Sequence, residues 1–260
     1  MRIAISTLTL LVTLLLAPAA LSAPPTDAEM LQMLDTIDER QKNNGDYKAL
    51  VYLEQKEREK DDLLYQMVAY RRDLEDKLML LFLKPKSEAG KGYLRLDKNL
   101  FMYDPTTGKW ERRTERERIG GTSSQRRDFD DSSLAEEYVP SYVEAGKLGK
   151  LSAHVLDLKA RPEADVAYPR LKVWVDQKTG NMLKQEEYAL SGRLMRTSYY
   201  PKWKKLYSES KGTDVYFPKR ILIIDEVEKG TQTSIVIQKV DLSPLPTNIF
   251  TKAWLESKSR

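Results

Sequence analysis

The chain has no cysteine and one histidine, His154, in 260 residues. Without a thiol there can be no disulfide framework, thiolate metal site, cysteine nucleophile or lipid-modified N-terminal cysteine. A single histidine excludes any multi-histidine metal centre. Catalytic motifs are missing as well. There is no Gly-x-Ser-x-Gly elbow, and Gly120-Gly121-Thr122-Ser123 lacks the lysine and the strand-to-helix context of a phosphate loop. Nothing assembles a nucleophile, a base and an oxyanion stabiliser, so the chain reads as a non-enzyme with no cofactor and no metal. Paired carboxylates are plentiful but unplaced, which leaves glycosidase chemistry as the one enzymatic alternative. What is present is 41% hydrophobic and 32% charged residues, enough apolar mass for a core beneath a well-solvated surface.

The first segment bears on the compartment. Met1-Arg2 is a short positive start, residues 3–16 are apolar apart from Ser and Thr, and Leu21-Ser22-Ala23 ends in small residues. This pattern predicts a secretory signal peptide over residues 1–23, cut after Ala23, and a mature chain beginning at Pro24. The run is short for a membrane span of roughly 20 residues, and no later stretch reaches that length. Cleavage leaves 42 basic against 39 acidic residues, a formal net charge of +3. A near-neutral exported chain gives no sign of a nucleic-acid partner. The expected location is the periplasm of a bacterial-type cell, with residues 24–260 as one domain.

Thr26 and Glu29 fit a capping box, and Met30, Leu31, Met33, Leu34 and Ile37 recur at helical spacing before Asn44-Gly45 offers a stop. Strand signals follow over residues 49–59, 63–72, 77–83, 91–97, 100–104 and 109–113. A second set covers 150–161, 170–176, 182–190, 194–200, 204–208, 220–228 and 231–241. Turn chemistry such as Pro105-Thr106-Thr107-Gly108 and Ser191-Gly192 separates them, which predicts an antiparallel meander. The long interruption is residues 114–149, with a short helix expected around 133–138.

Leu171, Val173 and Val175 alternate with Arg170, Lys172 and Trp174, as in a strand with one wet face. Leu78 to Leu83 and Ile221 to Ile224 are instead apolar on both faces and must be covered on both sides. A sheet curved around the amphipathic helix would cover the concave face, and any area left uncovered would be an apolar cavity. Parity cannot choose between Leu78, Leu80 and Phe82 and the alternate set Met79, Leu81 and Leu83. A closed core remains the alternative. Candidate lid and cavity residues are Met30, Met33, Leu34, Ile37, Met67, Leu78, Leu80, Phe82, Ile221 and Ile223.

Two charged clusters stand out. Asp128, Asp130, Asp131, Glu136 and Glu137 lack the glycine turn and terminal glutamate of a calcium loop and read as a solvated loop with a helix cap. Arg112, Arg113, Arg116, Arg118, Arg126 and Arg127, interleaved with Glu111, Glu115 and Glu117, suit a solvated strand edge. The functional alternative is contact with anionic head groups or an acidic partner, with Arg112, Arg113, Arg126 and Arg127 as candidates.

The order of several motifs carries a resemblance. Lys84-Pro85-Lys86-Ser87-Glu88-Ala89-Gly90-Lys91-Gly92-Tyr93-Leu94-Arg95 comes first, followed by Leu100-Phe101-Met102-Tyr103-Asp104-Pro105 with Trp110. Next come Arg126-Arg127-Asp128-Phe129-Asp130-Asp131 and the later hairpin Lys172-Val173-Trp174-Val175-Asp176. Together they resemble the exported outer-membrane lipoprotein-sorting protein family, relatives of LolA and LolB. The resemblance implies a mainly β, α+β fold, an unclosed antiparallel β-barrel of about eleven strands covered by helices, with an apolar interior for acyl chains. It also implies a carrier of lipoprotein or lipid cargo with an inner-membrane transporter as partner. Without the LolB-type lipobox cysteine, the chain resembles the soluble carrier. A non-catalytic envelope adaptor with a closed core is the second hypothesis. Oligomeric state and cargo identity are not implied.

Overall fold

The protein is described from a computed structural model, which covers residues 23–43, 45–96, 99–114, 117–130 and 132–259. The expected signal peptide, apart from Ala23, and Asn44, Glu115, Arg116 and Asp131 lie outside the described residues.

The chain opens with α1 (Asp27–Gln41). The Glu29 N–H donates to Thr26 Oγ1 at 3.3 Å, and the Thr26 N–H donates to the Glu29 carboxylate at 2.7 Å, so the expected capping box is formed. Two otherwise orphaned backbone donors are satisfied this way. Met30, Leu34 and Ile37 then lie on one buried stripe.

Thirteen antiparallel strands follow in one sheet. The first six are β1 (Asp46–Lys56), β2 (Leu63–Arg72), β3 (Lys77–Lys84), β4 (Gly92–Leu96), β5 (Asn99–Asp104) and β6 (Lys109–Arg113). The remainder are β7 (Tyr138–Leu148), β8 (Leu151–Ala160), β9 (Arg170–Asp176), β10 (Met182–Tyr188), β11 (Leu194–Ser208), β12 (Thr213–Asp225) and β13 (Gln232–Asp241). Each run pairs with its sequence neighbours, and β1 pairs with β13, giving the order β6-β5-β4-β3-β2-β1-β13-β12-β11-β10-β9-β8-β7. The sheet is not closed: β6 and β7 are its two edges.

Thirteen strands correct the expected eleven, β12 begins at Thr213 where the sequence reads a strand from residue 220, and the boundaries differ in two further places for identifiable reasons. Leu194–Ser208 is one strand, where the sequence reads as two runs broken at Pro201; register irregularities between Tyr199 and Trp203 absorb the proline. Tyr138–Leu148 lies inside the segment expected to be irregular. It carries Pro140, which an edge strand tolerates because one side of it needs no ladder donor.

Between the two edges, residues 117–130 and 132–137 lie on the concave side of the sheet as a strap. The strap holds 3-10 turns at Ile119–Gly121 and Arg126–Phe129 and the short helix α2 (Leu134–Glu137), close to where a helix was expected. Ile119 and Phe129 pack with Met67, Leu78, Leu80, Phe82, Ile221 and Ile223 in one core cluster. Gly120, at φ +60, makes the first turn possible: a Cβ there would sit 3.2 Å from Tyr65 and 3.3 Å from Phe82. On the convex side, α3 (Lys252–Lys258) sets Leu255, with Ile249 and Phe250, over Met79, Leu81 and Leu94. A Cβ on Gly92 would fall 2.8 Å from Leu255, so this close approach requires glycine. Strand β3 is therefore covered on both faces, as its unbroken apolar run demands.

Candidate functional site

Two core clusters share the concave side. One groups the inward residues of β1–β5 and β12–β13 with the strap; the other sets Met30, Leu34 and Ile37 of α1 on Leu156, Leu158, Leu171, Val173 and Val175. Tyr200 packs against both, and a cleft of about 250 Å³ opens between them. Small side chains make the room. Ala49 and Ala69 are directly opposite across β1 and β2, and with Val51, Ile221 and Ile237 they form an apolar wall. Phe217 and Tyr47, in edge contact with ring centroids 5.1 Å apart, extend that wall.

The facing wall is charged. The strap contributes Arg126, Arg127, Asp128 and Asp130, and the sheet contributes Gln185 and Glu187. Arg196, 4% exposed, donates to both Asp128 carboxylate oxygens at 2.9 Å and lies 3.2 Å from Glu187. Arg127 pairs with the other Glu187 oxygen and stacks over Tyr168 at 4.7 Å. Burial opposes the Arg196 charge, yet Asp128 and Glu187 outweigh it and hold the guanidinium above the usual arginine range. Asp130 sits among Arg71 at 3.1 Å, Arg126 at 3.2 Å and Arg95 at 3.4 Å. Burial pushes its pKa up, and these three arginines pull against that push.

The strap is pinned at further points along its length. The Ser123 N–H donates to Gln55 Oε1 at 2.6 Å and to Thr233 Oγ1 at 3.1 Å. Arg118 pairs with Asp225 at 3.1 Å, and Asp38 of α1 accepts the Ala135 N–H at 2.8 Å. Every such contact is polar and directional. Buried ion pairs of this kind contribute little net stability relative to apolar packing, but they fix one geometry.

Of the apolar residues singled out from the sequence, Ile221 lines the cleft. Met67, Leu78, Leu80 and Ile223 are packed into the first cluster, and Met30, Leu34 and Ile37 into the second, with Met33 partly buried beside it. Phe82 borders a separate hollow with Tyr93 and Met102. Inward parity in β3 falls on Leu78, Leu80 and Phe82, while Met79 and Leu81 meet the α3 region. Among the arginines, Arg112 is exposed and Arg113 is half-buried against Glu111 at 2.6 Å. Arg126 and Arg127, expected on a wet edge or a partner surface, are instead turned into the cleft wall. Asp128, Glu187 and Arg196 were not foreseen as a set. Glu187 and Arg196 do lie at inward strand positions, the one signal that could have found them.

Among the described residues no group of three or more His, Asp or Glu is placed to hold a metal ion, and no helix is long and apolar enough to cross a membrane.

A family model described as "Uncharacterized protein" matches residues 74–257, and the chain belongs to that family. No curated protein matches the chain. Among solved structures, it is similar to a LolA superfamily protein from Nitrosomonas europaea, with a TM-score of 0.71 and 22% identity, covering 88% of this chain and 100% of the other. It is also similar to a protein from Vibrio parahaemolyticus described as an outer membrane lipoprotein-sorting protein domain, with a TM-score of 0.74 and 19% identity, covering 88% and 99%. A DUF1329 family protein from Desulfovibrio piger gives a TM-score of 0.76 at 15% identity, covering 88% and 98%. The chain thus shares an unclosed, mostly β fold with these solved structures.

Proposed function

We propose that the protein is a non-catalytic periplasmic carrier that shelters acyl chains of a lipoprotein or lipid and passes them between envelope membranes or transporter components. The observation that carries this is the cleft itself, an apolar wall opened by the Ala49–Ala69 pair beneath a strap held by polar contacts and by Ile119 and Phe129. An acyl chain moved from water into such a space gains about 0.8 kcal/mol per buried methylene, so a modest chain is retained in transit without any bond being made or broken. At about 250 Å³ the cleft is slightly below the ~300–1,000 Å³ common for small-molecule sites, so larger cargo requires the strap to shift outward.

The second reading, an envelope adaptor with a closed core, draws on Met67, Leu78 and Leu80 being buried to 1% or less exposure beneath the strap. The two readings diverge in what travels with the purified protein. Mass spectrometry of lipid extracted from it is expected to find a co-purifying amphiphile, and Ala49→Leu, which fills the cleft, is expected to remove that lipid and fluorescent fatty-acid binding while leaving the circular dichroism spectrum unchanged. A wild-type protein without lipid or fatty-acid affinity supports the adaptor.

A further inference from the structure

The convex face of the sheet holds a feature that the cleft does not account for. Direct cross-strand partners share a face, and one row runs Lys202–Arg220–Val236–Tyr52–Gln66–Lys84 across β11, β12, β13, β1, β2 and β3. The inward neighbours Ile221, Ile235 and Leu53 are core residues, which places this row outside. The row beside it includes Tyr199, Leu222 and Ser234. With strands about 4.8 Å apart, six of them span about 24 Å.

Lys202 and Arg220 are directly opposite, an arrangement that destabilises a sheet unless something offsets it. No carboxylate among the described residues lies within 4.0 Å of Lys202, Lys219, Arg220 or Lys239. Arg220 is exposed and donates through Nε to Ser234 Oγ at 2.9 Å, a neutral partner that leaves its charge unbalanced. The nearby acids are engaged elsewhere: Glu54 lies 3.3 Å from Lys56, and Asp241 lies 3.1 Å from Lys48. Tyr199, Leu222, Val236 and Tyr52, all half-buried, interleave with these cations. Uncompensated positive charge mixed with amphipathic aromatics and aliphatics, on a chain close to neutral overall, is complementary to an anionic lipid–water interface.

We infer that this convex face docks the protein onto an anionic bilayer surface, with Lys202, Arg220 and Lys239, which shares its face with Leu50 and Leu81, meeting head-group phosphates and Leu222, Val236 and Tyr52 reaching the interfacial layer. The docking does not depend on what the cleft holds. It is tested by co-sedimentation with vesicles of phosphatidylcholine alone and of phosphatidylcholine mixed equally with phosphatidylglycerol. The protein should bind the mixed vesicles, lose that binding at high salt, and ignore the zwitterionic ones. Replacing Lys202, Arg220 and Lys239 together by Gln should weaken binding about a hundredfold, at roughly fivefold per charge. The single change Lys202→Glu creates an opposite-charge pair with Arg220, so its melting temperature should rise while vesicle affinity falls. A merely structural role would move both together. Fatty-acid binding in the cleft should be unchanged in every variant, which separates this test from that of the carrier function. Absence of wild-type binding to mixed vesicles, or equal binding by the triple variant, overturns the inference. So does retention on immobilised polyglutamate without vesicle binding, which would assign the face to an acidic protein.

Discussion

Arg196 is the residue on which the polar wall of the cleft turns, since both Asp128 oxygens and one Glu187 oxygen face it. Arg196→Ala leaves Asp128 buried without its guanidinium and should cost about 3–5 kcal/mol in urea unfolding, whereas exposed Arg112→Ala should change stability by less than about 0.5 kcal/mol. Glu137 shows the opposite electrostatic sign. Burial raises its pKa above the ordinary glutamate value, Asp38, Glu136 and Asp130 add to the rise, and Arg127 opposes it. As pH increases from 4.5, the unfolded chain releases this proton first and the native state holds it longer, so stability falls across that window and then levels off. Melting curves between pH 4.5 and 7.5 should therefore show a shallower decline for Glu137→Gln than for the wild type. Parity made part of this wall legible. Tyr65, Met67 and Ala69 are the buried alternates of β2, and Arg71 is the next inward position, 1% exposed. An arginine at an apolar parity announces a buried partner; one, Asp73 at 3.2 Å, is local, but the other, Asp130, comes from a loop 59 residues away that no local pattern could pair with it.

At the scale of elements, α1 was readable almost in full because caps and helical periodicity are local signals. Its packing partners were not: the stripe shares a cluster with β8 and β9 rather than with Leu78–Phe82. Leu34 is fully buried at the centre of that contact. Leu34→Ala should destabilise the protein by about 2–5 kcal/mol in chemical denaturation. The strap was the least legible element. Its glycines, serines and charges read as a surface loop, and its placement inside the sheet follows from tertiary partners such as Gln55 and Thr233. Strand β7 was hidden for a related reason, since its proline and outward polar residues lack the apolar alternation of a central strand.

For the whole molecule, the seam between β1 and β13 has a consequence for how the chain acquires its structure. Lys48 lies opposite Asp241, and Lys56 opposite Gln232, so the strands that join the two halves of the sheet come from its opposite ends in sequence. Each half is a meander of neighbouring hairpins that can form early from local contacts, but the seam is paid for by closing a loop of nearly the whole chain. Until β13 emerges, β1 presents a long unpaired edge with apolar Val51 and Leu53 beside it, open to pairing with another copy. A polypeptide organised this way stays incomplete until its last strand is available, so the interval in which its apolar edge is open to wrong partners lasts until the end of the chain has been made.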